Sequence, residues 1–582
     1  MTERTGGRLL VDCLLAQGVD TAFGVPGESY LAVLDAFHDV EDRLRFVTCR
    51  QEGGAAYMAE AWGRLTGRPG ICFVTRGPGA TNASIGVHTA DQCSTPMILF
   101  VGQVGRSHRG LEAFQEIEYT SFFDDLAKWV VEVDDADDLP RVVETAFTVA
   151  MSDRPGPVVV SLPEDMLRDV ASARPGPRVE AVERAPSADD VEAVRAVLAA
   201  AERPVLLVGG GGWTTGGRAA LRDLAIRYDL PVVATFRRHD LFDNNDDRYV
   251  GEAGVGMPPA VRRTLVEADV VLAIGARFGE ITTDVYTLFG TDGSSSDQRI
   301  VHVHASAYEF GKVVRAEVTV HAGPNAACRT LADVEVAVAD RWTDWRANRR
   351  TAFLETLECP PQLGELDMGE VSAWLRDRLP ADVVVTNGAG NYSVWPNKFL
   401  LYGEDARLLA SQNGTMGYGM PAAVAAKVAD PSRTVICFTG DGDLQTNLPE
   451  LGTALQADAR PIILAIDNSS WGTIRMHQEL HHPGRVSATD LVNPDFVAIA
   501  GAYGMHAERV TRTEGFASAF ERAMASPTGA LLHLITATDQ LNPRLTVEAA
   551  RRSGQDAGQV DPPAGPARRQ RSTPGARRPT SR

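Results

Sequence analysis

No run in this 582-residue chain stays apolar over the roughly 20 residues needed to cross a bilayer, so neither a membrane span nor a membrane partner is expected. The opening MTERTGGRLLVDCLL lacks a basic segment followed by an apolar core and a small-residue cleavage site, and the expected compartment is the cytoplasm. Cysteine is sparse: 7 residues, scattered and without CxxC spacing. That argues against a disulfide framework and a thiolate zinc site, and leaves each thiol as a small buried apolar group. Positive charge is short as well, with 57 Lys and Arg against 76 Asp and Glu, a net charge of -19. Such a surface repels phosphate backbones and anionic lipid, so nucleic acid is not an expected partner.

What the chain does contain is a repeating alternation of short apolar runs and helical stretches, the signature of parallel sheets flanked by helices. It falls into three blocks, 1–170, 190–345 and 365–547, each expected to be a doubly wound α/β domain. In the first, the strand candidates are FVTCR, GICFVTRG, PMILFVG and GPVVVSLP; in the second, PVLLVGGG, PVVATF, VVLAIGARF and IVHVHA; in the third, DVVVTNGAG, RTVICFTGDGD, PIILAIDN and ALLHLIT. ASARPGPRVEAVERAPSADD (171–190) reads as a linker and the segment around ECPPQLGELD (358–367) as a connector. The end, 555–582, is rich in Pro, Gly and Arg and nearly free of large apolar residues, and is expected to be a disordered basic tail.

In the third block, VICFTGDGD carries an apolar strand into Gly440-Asp441-Gly442, and PIILAIDN ends a second strand at Asn468. Glycines let backbone N–H groups approach an anion, and a carboxylate is a hard ligand suited to Mg²⁺. In a parallel sheet both strand ends emerge at the same carboxyl edge, so Asp441 and Asn468 are expected to meet at one ion. NLPELGTALQ between them reads as the intervening helix, with Thr446 or Asn447 as its cap.

The span 440–468 resembles the thiamin diphosphate fingerprint, in which GDG is followed by a strand-ending Asn-Asn pair. The resemblance implies Mg²⁺ on Asp441, Asn468 and the carbonyl of Ser470, with Gly440, Gly442 and Asp443 at the cofactor. Asp467 stands where the family carries the first asparagine. FVTCRQEGGAAYMAEAWGR matches the family's R-x-E-x-x-A segment at Arg50, Glu52 and Ala55. That implies Glu52 as the carboxylate that hydrogen-bonds the aminopyrimidine ring and promotes loss of the thiazolium C2 proton. SQNGTMGYGMPAAVAA implies Gly414 and Met416 as the residues that hold the cofactor in its bent shape, and TNGAGNYSVW implies Gly390 and Asn391 at the diphosphate.

Further segments are similar to acetolactate synthase and its close relatives: GVPGES, which contains Gly27, RGPGATN, and EAFQEIEYTSFFDDLAKWV. They imply Phe114 and Gln115 on the substrate side of the thiazolium, with Gly27 and Lys128 as further pocket residues. His477, in TIRMHQELHHPGRV, stands by spacing where those synthases carry a tryptophan that shapes the acceptor pocket. The first block has no adjacent His-His pair of the kind pyruvate decarboxylase uses, which favours carboligation over simple decarboxylation. LLVGGGGW (206–213) would admit a dinucleotide, as in synthases that bind FAD, but ATFRRHDLFDNN differs from the segment those flavin binders use; FAD stays open.

The resulting expectation is an enzyme dependent on thiamin diphosphate and Mg²⁺. It decarboxylates a 2-oxo acid such as pyruvate and transfers the fragment to a second carbonyl. A 2-hydroxy ketone lyase, a decarboxylase of a larger 2-oxo acid and a non-catalytic scaffold subunit are the alternatives. Because ring and diphosphate are held by different domains, the family's assembly implies a homodimer or homotetramer; a regulatory small subunit is left open.

Overall fold

The apolar runs become strands of three six-stranded parallel sheets, one in each block. The structure is a computed structural model describing residues 4–291, 297–334 and 341–557; the basic tail from 558 onward lies outside the described residues. The first sheet contains Thr21–Gly24 (β1), Arg45–Thr48 (β2), Gly70–Val74 (β3), Met97–Gln103 (β4), Trp129–Glu132 (β5) and Pro157–Pro163 (β6), in the order β2-β1-β3-β4-β6-β5. The middle sheet contains Pro204–Val208 (β7), Val232–Thr235 (β8), Tyr249–Ala253 (β9), Val270–Ile274 (β10), Arg299–His304 (β11) and Val318–His321 (β12), in the order β9-β8-β7-β10-β11-β12. The third contains Val384–Asn387 (β13), Arg407–Ala410 (β14), Val435–Gly440 (β15), Ile462–Asp467 (β16), His506–Val510 (β17) and Ala530–Ile535 (β18), in the order β14-β13-β15-β16-β18-β17.

The first and third sheets therefore share one winding, while the middle sheet has the order found in dinucleotide-binding folds. Central strands are covered on both faces, which is why Val158, Val159 and Val160 of β6 and Ile463, Leu464 and Ala465 of β16 are all fully buried. Crevices open at the carboxyl ends of strands where the winding reverses: between β1 and β3, between β7 and β10, and between β13 and β15.

The first and third domains share a core. Val47, Ala55, Ala56 and Ala59 of the first pack in one cluster with Tyr418, Met420, Ala423 and Leu451 of the third. Small residues on the helices Glu52–Thr66 and Gly419–Ala429 allow that close approach. The middle domain has its own core, and the helix Thr343–Glu355 belongs to it: Trp342 Nε1 donates to Ala201 O and Trp345 Nε1 to Pro204 O. Residues 172–187 form no helix or strand, but they are strapped down rather than loose. Gln17 bonds Pro177 O and Val179 N, and Arg68 bonds Val179 O. The last helix, Val547–Ala557, takes in residues 555–557 at the start of the expected tail and docks on the helix Gly472–His481, where Arg551 pairs with the buried Glu479.

Candidate functional site

The strand β15 runs straight into a helix, Asp441–Thr446, without an intervening turn. The expected helix is observed as Glu450–Gln456, with Pro449 and not Thr446 or Asn447 at its cap, and is preceded by this additional short helix at the strand end. Asn447 instead donates its side-chain amide to Gly417 O at 2.9 Å. This arrangement puts Asp441 in the first helical turn, and Asn468 and Ser470 just beyond the neighbouring strand β16. All three line one cavity of about 350 Å³, together with Gly390, Asn391, Gly414, Met416, Gly440, Gly442 and Asp443.

Asp441 Oδ1 accepts from the Gly442 amide at 3.0 Å and Oδ2 from Asn493 Nδ2 at 2.7 Å. Burial, with nearby Asp467 adding to it against the Asn493 bond, pushes its carboxyl up to about 6. A carboxylate destabilised by burial beside amide and carbonyl oxygens is the hard-oxygen donor chemistry that Mg²⁺ and a diphosphate take together, so the residues present fit that pair. Asp467, the departure from the family pattern, is spoken for. Its Oδ2 pairs with buried His533 at 2.8 Å, and its Oδ1 accepts from Ser469 N at 2.8 Å and Asn493 Nδ2 at 2.9 Å. Burial raises this carboxyl, but the His533 and Ser469 bonds outweigh it and hold the group below its ordinary value.

The glycines of this edge answer to close contacts. A Cβ on Gly442 would lie 2.4 Å from the Trp471 ring, and one on Gly440 2.7 Å from Tyr392. Gly390 has φ +152°, a backbone conformation that favours glycine. Asn391 Oδ1 accepts from Thr473 at 2.9 Å. Asp443 reaches the cavity wall, but its carboxylate is spent on the protein: it accepts from Gly417 N at 2.9 Å, Ala389 N at 3.3 Å and Thr439 Oγ1 at 2.8 Å. It ties the three loops together, so the reach of its carboxylate toward a ligand is through the backbone it holds.

None of the residues lining this cavity comes from the first domain. Glu52 opens the helix Glu52–Thr66, with Gln51 as its cap, and its Oε2 accepts from Asn82 Nδ2 at 2.9 Å. Asn82 is the last residue of RGPGATN, so two of the motifs meet here. Gln115 joins them: a Cβ on Gly77 would lie 2.8 Å from Gln115 Cβ. Arg76 pins the same loop, bonding Phe114 O and pairing with Glu28 at 3.0 Å and Glu164 at 2.9 Å. Phe114 itself is 74% exposed. Gly27 brings the turn after β1 against Thr75, 2.4 Å from where its Cβ would stand. The chain therefore carries two clusters of expected site residues at two sheet edges, one around Glu52 in the first domain and one around Asp441 in the third.

Two expected pocket residues lie elsewhere. Lys128 precedes β5 and sits at the amino edge of the first sheet, opposite to Glu52. Its ammonium donates to Val149 O and Ser152 O at the end of the helix Leu139–Met151, and burial lowers it to about 8. It is a helix-end brace and not a substrate contact. His477 is exposed on the helix Gly472–His481, where its ring stacks on His481 at 6.0 Å. That helix meets the cavity through Gly472, Thr473 and Ile474 of its first turn, preceded by Trp471, and His477 lies one turn further along the helix. Sequence reasoning missed Trp471, Asn493 and His533. The collision of Trp471 with Gly442 and the Asn493 bridge are contacts between residues distant in sequence, and no local pattern announces them.

In the middle domain the run Gly209–Gly212 lies at the expected crevice, and the lining of the cavity there includes Arg64, Glu183, Trp213 and Arg238.

The comparisons agree with this geometry. Residues 4–122 match the family described as the thiamine pyrophosphate enzyme N-terminal TPP binding domain, 191–331 its central domain and 388–534 its C-terminal TPP binding domain. The acetolactate synthase large subunit of Parasynechococcus marenigrum is 34% identical over 544 residues, 91% of this chain and 87% of the relative. The large subunit of acetolactate synthase isozyme 2 of Escherichia coli is 33% identical over 534 residues, 91% of this chain and 95% of the relative. The mitochondrial catalytic subunit of Saccharomyces cerevisiae acetolactate synthase is 32% identical over 533 residues, 88% of this chain and 77% of the relative. With the matched segments coinciding with the three sheets, the chain belongs to the thiamine pyrophosphate enzyme family and is an acetolactate synthase-like, thiamin diphosphate-dependent enzyme of carbon–carbon bond formation.

Proposed function

We propose that this enzyme, with Mg²⁺ and thiamin diphosphate, decarboxylates pyruvate and joins the two-carbon fragment to a second carbonyl compound. The observation that carries the reading is the meeting of Asp441, Asn468 and Ser470 on one cavity at the carboxyl edge of the third sheet. When bound, the cofactor supplies a carbon nucleophile and an electron sink for the substrate's carbon skeleton. Asp441, Asn468 and the Ser470 carbonyl would hold the metal. The first turn of the helix Asp441–Thr446, with Gly390 and Asn391, would receive the diphosphate. Gly414 and Met416 line the same cavity and would support the cofactor between its diphosphate and its ring. Glu52 keeps one oxygen on Asn82; its other oxygen would accept from the cofactor's aminopyrimidine ring and hold the proton there. Gln115 and Phe114 would orient the substrate.

The reading requires a second copy of the chain, as a homodimer or a pair of dimers, so that Glu52 of one protomer faces the metal half-site of its partner. Exposed apolar side chains at both halves, Leu111 and Phe114 on one and Met416 and Ile474 on the other, support such a closure. Relatives named as large subunits support a smaller regulatory partner. No helix among the described residues is long and apolar enough to cross a membrane, in keeping with work in the cytoplasm.

The test is product analysis by mass spectrometry after incubation with thiamin diphosphate, Mg²⁺, pyruvate and a panel of 2-oxo acids and aldehydes. Release of CO₂ matched by a hydroxy-oxo product is expected. Cleavage of 2-hydroxy ketones with no reaction of pyruvate would make the protein a lyase, and silence with every substrate would make it a scaffold. Glu52→Gln should slow proton exchange at the cofactor C2 by about 10²-fold or more while cofactor binding survives.

A further inference from the structure

The two loops assigned to the cofactor in the third domain are 388–391, after β13, and 411–416, after β14. Both are rich in glycine. Gly390 and Gly414 have φ +152° and +68°, and Gly417, which ends the second loop, has φ +75°. Glycine leaves a chain many conformations, so the two loops need outside contacts to stay in register with each other. Asp443 supplies them on the N–H side, where it accepts from the amides of Ala389 and Gly417. The contacts on the carbonyl side come from another domain.

Arg237 follows β8 of the middle domain. It is 3% exposed, and its guanidinium crosses the domain boundary. Nη2 donates to Gly388 O at 2.8 Å and Nη1 to Ser411 O at 2.5 Å. Gly388 and Ser411 are the first residues beyond the neighbouring strands β13 and β14, so one planar fork spans the start of both loops. Ser393 Oγ, which donates to Gly390 O at 2.8 Å, stands 3.5 Å from Nη2. Neighbouring groups hold the arginine in place. Its own N donates to Glu252 Oε1 at 2.7 Å, and Glu252 Oε2 pairs with Lys398 of the third domain at 2.8 Å. Arg64 of the first domain donates to Arg237 O at 2.9 Å and to Ala410 O at 2.7 Å. Gln412 Nε2 donates to Phe236 O at 2.8 Å. Arg237 has φ +57°, a conformation uncommon for a residue with a Cβ and kept only where the surroundings over-determine it. It does not line the cofactor cavity, so its effect on a ligand passes through the loops.

We infer that Arg237 is a positioning residue for thiamin diphosphate: by fixing the carbonyl side of loops 388–391 and 411–416, the middle domain sets how tightly the third domain binds the cofactor. Loops already ordered before binding spare the ligand that cost, and two charge-assisted bonds from one buried fork order both loops together. The inference rests on the proposal that these loops receive the cofactor.

The experiment titrates thiamin diphosphate into the full-length, cofactor-free chain in excess Mg²⁺ by calorimetry, with urea unfolding alongside. Arg237→Met removes both bonds and should weaken cofactor binding about tenfold or more. Arg237→Lys, whose ammonium lacks the planar fork, should fall between it and wild type. Arg350→Met is the comparison for stability alone. Arg350 is 7% exposed and donates to Asn244 O at 3.0 Å, Tyr249 O at 2.8 Å and Asn245 O at 3.3 Å, all within the middle domain. Its loss should lower the urea midpoint and leave cofactor affinity within about twofold of wild type. Arg237→Met binding the cofactor as tightly as wild type overturns the inference. So does an equal loss of affinity in Arg350→Met, which would make the effect one of general stability. Should Arg237→Met fail to fold, Arg237→Lys decides by the same measure: weakened binding supports the inference and wild-type binding overturns it. Wild-type protein that binds the cofactor and leaves pyruvate untouched would overturn the proposed reaction and not the role of Arg237, since the titration reads binding alone.

Discussion

Glu450 couples the third domain to the residue proposed to activate the cofactor. It is fully buried and reaches across the domain boundary: Oε1 accepts from Gln51 N at 3.0 Å and Arg50 N at 3.2 Å, and Oε2 from the hydroxyl of Thr453. Gln51 is the cap of the helix that Glu52 begins, so this carboxylate sets where Glu52 starts. Glu450→Ala leaves two half-buried backbone donors without their acceptor, each costing about 1 kcal/mol, and opens a small cavity; a loss of about 2–4 kcal/mol is expected. Glu450→Gln keeps one acceptor oxygen and the shape, and should cost only about 1 kcal/mol. Urea unfolding gives the stabilities. Proton exchange at C2 of bound thiamin diphosphate reports on Glu52, and should slow in Glu450→Ala while Glu450→Gln stays near wild type. An alanine variant with wild-type urea midpoint and wild-type exchange would refute the reasoning, since neither the cap nor its effect on Glu52 would then matter.

Two further outcomes follow from other contacts. Lys128→Met removes the ammonium from the carbonyls of Val149 and Ser152; stability should fall by about 1 kcal/mol with turnover within about twofold of wild type, since the side chain stands at the sheet edge opposite Glu52. Glu479 is held down to about 2 by Arg551, with Gly484 N and Arg475 assisting. Its folded value lies below the unfolded 4.5, so its stabilisation is present above the unfolded value and is lost as pH falls toward 2. Urea midpoints measured across that window should drop more steeply in wild type than in Glu479→Gln, by about 2 kcal/mol after discounting for the half-exposed Arg551.

Much of the fold is legible because strands covered on both faces must be apolar throughout. VICFTG and PIILAID are visible as strands for that reason, and their glycine and Asp or Asn ends mark the carboxyl edge. Two edge strands escape the same reading: Val318–His321 and His506–Val510 have one neighbour each and carry His, Thr, Glu and Arg, so no continuous apolar run marks them. Glu52, Asp441 and Asn468 are legible because a motif of fixed spacing surrounds each. Lys128 and His477 lie away from that edge, at the amino edge of the first sheet and one turn beyond the cavity-lining turn of its helix, because a motif's spacing fixes position along the chain and not where the folded segment runs.

The order of apolar runs, read along the chain, determined three parallel-sheet domains and set the glycine-flanked Asp441 and the strand-ending Asn468 at strand ends, since periodicity and strand ends are local properties of a polypeptide. Packing alone decided that Asp467 is matched by His533, that Arg237 of the middle domain reaches the carbonyls of Gly388 and Ser411, and that Glu450 supports the start of the Glu52 helix. These are contacts between segments tens to hundreds of residues apart, set by how the sheets stack, and no window of sequence contains both partners.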